Sequence, residues 1–124
     1  MLKKLGIAMG LLFILGGILG FVPGVTKNDL FLGVFMVNPP HGFMHLVSGA
    51  LLFMASLFGA GPARRGFQVF GIFYGAVALM GFFVGDAKIC GVISNNFNDS
   101  WGHAVLALAL LAVGFMSPKP APSA

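Results

Sequence analysis

The chain has 124 residues, of which 58% are hydrophobic and only 8% charged, and its formal net charge is +4. That is too little charge to cover the surface of a soluble domain of this length. The basic residues are scattered at the flanks of apolar runs, so they form no phosphate-binding patch, and nucleic acid is excluded as a partner.

Four runs contain no Asp, Glu, Lys or Arg: residues 5–22, 43–60, 67–84 and 101–116. Each is close to the roughly 20 residues that cross a hydrocarbon core about 30 Å thick. Backbone in lipid must satisfy its own hydrogen bonds, so runs of this length are expected to be helices. The first run follows Lys3 and Lys4, as a secretory signal would. It is long for a signal core, and Phe21-Val22-Pro23-Gly24 offers no small-x-small cleavage site, so it is expected to be a retained helix. The fold class that follows is an all-α integral membrane protein. Its single domain, residues 1–116, is a four-transmembrane-helix bundle, and residues 117–124 form a Pro-rich tail.

Lys3, Lys4, Arg64, Arg65 and Lys119 fall on one side of a four-span arrangement, and Lys27 and Lys88 on the other. The positive-inside rule then places both termini, the tail and a short 61–66 connection in the cytoplasm. The membrane is expected to be the bacterial cytoplasmic (inner) membrane. The acids Asp29, Asp86 and Asp99 lie on the outer side, with the two longer loops.

Small-xxx-small pairs occur at Gly6/Gly10, Gly16/Gly20, Gly71/Gly75 and Gly81/Gly85. They let helices approach closely where lipid supplies no hydrophobic drive, and they point to the first and third helices as the packing centre. In the first outer loop the apolar stretch 30–37 is too short to span. It is expected to lie at the interface as a short helix, or to tuck over the mouth of the bundle. A weak internal repeat aligns residues 38–45 with 96–103, both reading Asn-x6-His into an apolar run. The bundle would then consist of two parallel helical hairpins, with His45 and His103 equivalent.

These residues also carry a family resemblance. Val37-Asn38-Pro39-x-His41-x3-His45-x3-Gly49, followed by Asn98-Asp99-x-Trp101-x-His103, resembles an uncharacterised bacterial family, domain of unknown function 4383. The likeness runs from Leu5 to Phe115, and Asn-Pro-x-His-x3-His is its most specific part. Pro40 and Gly42 depart from it, standing where an apolar and a polar residue are expected. The resemblance implies a four-helix membrane protein and implies no activity.

Asn38 and Pro39 suit a helix start, as do Asn98 and Ser100 for the last helix. The chain's three histidines are more informative. His41 and His45 share one helix face, and Asp99 and His103 have the same spacing. All three histidines fall near the outer mouth. Ionisable groups inside a membrane are costly, so they should face the interior and find partners.

Four readings follow. In the first, the histidines are interhelical ties to Asn38, Asn98, Ser48 or a backbone carbonyl. In the second, His41, His45 and His103 bind Zn or Cu, with Asp99 as a fourth ligand or a supporting partner. In the third, His45 and His103 hold haem or a chlorin pigment across the bundle. The last is a small permease, which would need a continuous polar path. Catalysis has little support. The serines lack a nucleophile elbow, and Cys90, the only cysteine, has no His–Asn partner motif. Trp101 reads as an interfacial anchor. The leading expectation is a non-catalytic structural or accessory protein that associates with itself or with a larger membrane complex.

Overall fold

A computed structural model describes residues 1–122. Four long helices run in chain order: α1 (Leu2–Leu19), α2 (Pro39–Leu57), α3 (Ala60–Val84) and α4 (Phe97–Met116). All four are long and apolar enough to cross a membrane. Their outward faces carry large apolar side chains such as Leu11, Leu51, Met54, Leu79, Phe83 and Leu108. A surface of this kind suits acyl chains.

The helices differ in extent from the apolar runs. Helices α2 and α4 begin at Pro39 and Phe97, and α3 begins at Ala60. The connection between α2 and α3 is only Phe58-Gly59, so Arg64 and Arg65 lie within α3 and not in a 61–66 loop. The reason is physical. A helix continues beyond the hydrocarbon edge where its polar side chains reach water, and α2 and α4 have capped first N–H groups as well, whereas α3 starts at Gly59 without a side-chain cap.

Consecutive helices are antiparallel and pack chiefly as two hairpins, α1 with α2 and α3 with α4. Glycines set both contacts: of those paired by spacing, Gly6 and Gly10 press on α2 and Gly71 and Gly81 on α4, so the pairs serve the hairpins and not an α1–α3 centre. A Cβ at Gly10 would lie 2.8 Å from the Gly49 carbonyl oxygen, and one at Gly49 would lie 2.7 Å from that of Gly10. The backbones of α1 and α2 therefore cross at these two residues. Gly114 plays the same part against the Gln68 backbone in the other hairpin. Gly16 has nothing within 4 Å of such a Cβ, and Gly85 closes α3 with φ +63°. The close contacts thus lie within the hairpins, and α1 against α3 is a minor one.

The interior is filled by Phe13, Leu52, Phe67, Tyr74, Ala107 and Leu110, all at most 5% exposed. One end of the bundle gathers Lys3, Lys4, Arg64, Arg65 and the end of α4, where Arg64 Nε donates to the Ser117 carbonyl at 3.4 Å. We call this the basic end. Both long loops lie at the other, the loop end.

The α1–α2 loop is not helical. It holds a three-stranded antiparallel sheet: β1 (Thr26–Lys27), β2 (Leu30–Phe31) and β3 (Phe35–Met36). Lys27 pairs with Leu30 across Asn28-Asp29, whose φ values of 52° and 62° are those of a two-residue hairpin turn. Asn and Asp tolerate this backbone best after Gly. The sheet packs over the mouth, since a Cβ on Gly102 of α4 would meet the Phe35 ring at 3.2 Å.

Candidate metal centre

Each helix start at the loop end is tied by an asparagine. Asn38 caps α2: its Oδ1 accepts from His41 N at 3.1 Å. It also accepts from Ser94 N, and its Nδ2 donates to the Val92 carbonyl at 2.8 Å. One side chain thus ends a helix and binds the α3–α4 loop. Pro39 occupies the first turn, where its missing N–H costs nothing.

For α4 the cap is Asn96, not Asn98 or Ser100. Asn96 Oδ1 accepts from Asp99 N at 2.8 Å, and Asp99 Oδ2 accepts from Asn96 N at 2.9 Å, which is a reciprocal capping box. Asn98 is one residue inside the helix and donates to the Val34 carbonyl of the sheet at 3.2 Å, beside a 3.0 Å bond from Asn96 to the same oxygen. Ser100 Oγ joins Asn95, whose Nδ2 donates to the carbonyls of Gly81 and Gly85 at the end of α3.

The two caps place the histidines. His41 and Asp99 are each three residues beyond their cap, and His45 and His103 each seven beyond. His41 Nε2 and His103 Nε2 are 3.3 Å apart. The His45 ring stands 5.3 Å from that of His41 and 5.6 Å from that of His103. One ring nitrogen from each of the three lies within 4.8 Å of the others. His41 and His103 are 3% and 4% exposed, and Nδ1 of each has no hydrogen-bond partner.

Three sequence expectations change here. The histidines meet one another rather than Asn38, Asn98 or Ser48. Ser48 accepts from the Tyr74 hydroxyl at 3.0 Å. Asp99 lines the same cavity but is not among the converging ligand atoms; its Oδ2 accepts from the backbone N–H groups of Asn96 and Met36. A tetrapyrrole does not fit between His45 and His103. Tyr74 packs 5.5 and 5.6 Å from their rings and His41 touches both. The adjoining cavity is about 250 Å³, below the roughly 300–1,000 Å³ that drug-sized ligands occupy.

Three imidazoles do suit a metal. A Zn–N bond of about 2.05 Å and a tetrahedral angle put two ligand nitrogens about 3.3 Å apart. That is the separation found between His41 and His103; the three nitrogens together lie within 4.8 Å, so an ion would draw the His45 ring closer. Carboxylate-free, all-nitrogen sets suit Zn or Cu.

Sequence reasoning did not single out Asn95 or Tyr74. Tyr74 is the only tyrosine in a chain with 14 phenylalanines. A lone hydroxyl in an apolar run needs a partner, and that was a readable signal.

The family described as "Domain of unknown function (DUF4383)" matches residues 3–116. The chain belongs to this family. As a DUF4383 protein with four apolar helices it is a multi-pass membrane protein. No curated protein and no solved structure matches the chain significantly.

Proposed function

We propose that this DUF4383 protein is a non-catalytic accessory component of the bacterial cytoplasmic membrane that holds one transition-metal ion, Zn or Cu, at the outer end of its bundle. The observation that carries the reading is the convergence of three histidines from two helices in a buried position. The orientation is N-in/C-in, with the basic end cytoplasmic, in line with the positive-inside rule. Its partners are the lipid bilayer and, through the exposed helix faces, a second copy or a larger membrane complex.

Neither of the other classes has matching support. A permease needs a continuous polar path, and Leu52, Phe67 and Leu110 fill the interior between the histidines and the basic end. A nucleophile would have to work beside the cluster, and Cys90 is exposed in the α3–α4 loop. One further reading has a specific observation behind it. The 3.3 Å contact between His41 and His103 also suits a hydrogen bond in which one ring donates to the other.

Elemental analysis of protein purified in mild detergent from its native membrane separates the two. The metal reading expects about one Zn or Cu per chain, lost in His41→Ala and in His103→Ala. A metal-free wild-type protein that also fails to take up added Zn or Cu would leave the histidines as interhelical ties. Labelling of Cys90, the only cysteine, by an impermeant maleimide added outside cells tests the orientation. Protection of Cys90 in cells whose membranes are intact would reverse it.

A further inference from the structure

We infer that the metal keeps one coordination position open, and that this position faces the adjoining cavity and takes a small monodentate ligand of low charge. The inference rests on the metal reading above and deepens it.

The protein supplies three donors. Among the described residues the ligand group is His41, His45 and His103, and no fourth His, Cys, Asp or Glu joins it. Asp99, which borders the cavity, uses its Oδ2 to accept from the backbone N–H groups of Asn96 and Met36. Zinc sites that serve only to hold a fold are closed by four protein ligands, whereas three-ligand sites leave a place for water or another molecule.

There is also space for such a molecule. The cavity of about 250 Å³ is bordered by all three histidines and by Asp99. One water occupies about 30 Å³ of liquid, so a ligand of several heavy atoms fits beside the metal. Small residues help keep the cavity open. Gly16 lines it, and a Cβ there would meet nothing within 4 Å. The remaining wall is largely apolar, with Phe31 and Phe35 from the sheet and Leu106 from α4. Such a wall excludes multiply charged ligands, whose lost hydration it cannot replace. A neutral azole or a monoanion such as azide has the right size and charge.

The test uses the full-length protein in detergent, loaded with Co(II), whose visible absorption reports its ligands. Titration with azide and with imidazole should change the spectrum saturably for at least one of them. Gly16→Leu and Leu106→Trp, which fill the cavity and touch no ligand nitrogen, should keep Co(II) and lose that response. His103→Ala should lose Co(II) itself. A wild-type protein that binds Co(II) and ignores both probes sinks this inference and leaves the metal reading standing. So does an unchanged response in both cavity-filling variants that retain Co(II). A wild-type protein that takes up no Co(II) sinks the metal reading and this inference together.

Discussion

The two ends of the bundle are held by different physics. At the basic end and through the middle, helices touch backbone to backbone at glycines, around a plug of Phe, Leu and Tyr. At the loop end one such glycine contact remains, Gly17 against the Gly42 carbonyl, and polar contacts between loops and helix ends are added to it. Asn38, Asn95, Asn96, Asn98 and Asp99 bind loops and helix ends to one another. Lipid offers no drive for association, so the middle depends on close packing. The loop end carries backbone that would be unsatisfied without side-chain partners. The difference teaches where function sits: the histidines lie at the polar end, among groups whose positions are set by hydrogen bonds.

The largest expected effect breaks the packed region. In Gly49→Ala the new methyl would press on the Gly10 carbonyl and the Ile14 N–H, both backbone. Neither can move without separating α1 from α2. Overpacking of this kind costs about 3 kcal/mol. The check is unfolding in detergent followed by circular dichroism. A stability equal to wild type would show that the crossing is looser than its geometry.

The membrane spans and the segregation of basic residues were legible in the sequence, because hydropathy and Lys/Arg position act over whole helices. The loop end was legible only in part. Aligning residues 38–45 with 96–103 puts the two caps and the two deeper histidines in register. Yet Asn98 was read as the α4 cap, because Asn98, Asp99 and Ser100 are all residues that cap well. The Asn96-x-x-Asp99 spacing was the better signal, since a capping box is defined by its third residue. Of the two expectations for the stretch 30–37, the cover over the mouth holds and the short helix does not, because strands of two residues are too short to show a period and only Asn28-Asp29 marks the first turn. That three imidazoles converge depends on how α2 and α4 are rotated about their axes, which no local pattern encodes.

The next two effects act on the polar end. Asp99→Ala removes the acceptor for both Asn96 N and Met36 N, freeing the sheet from α4. Losing partners for two such donors costs about 2 kcal/mol. The change should also speed metal loss, measured by transfer to a chelator, because the sheet then covers the histidines less firmly. Asn38→Ala removes a helix cap and two bonds to the α3–α4 loop, with an expected cost of about 1.5 kcal/mol. Metal loss that is unchanged in both would separate the hydrogen-bonded lid from the site.

The smallest effect sharpens the border between the two regions. Tyr74 belongs to the apolar plug, yet its ring stands against His45 and His103 and its hydroxyl donates to Ser48. Tyr74→Phe keeps the ring and deletes one interhelical hydrogen bond, a loss of about 0.6 kcal/mol in a membrane bundle. If the ring alone positions the imidazoles, metal content and the Co(II) spectrum should match wild type, and only the unfolding midpoint should shift slightly. If the spectrum changes, the hydroxyl reaches the metal's surroundings through the histidines, and the polar region extends one layer deeper than its hydrogen bonds indicate. Phe13→Leu separates these outcomes further. It removes the edge contacts with His45 and with the Tyr74 ring and touches neither member of the Tyr74–Ser48 hydrogen bond, so a spectral change there would assign the positioning to ring packing.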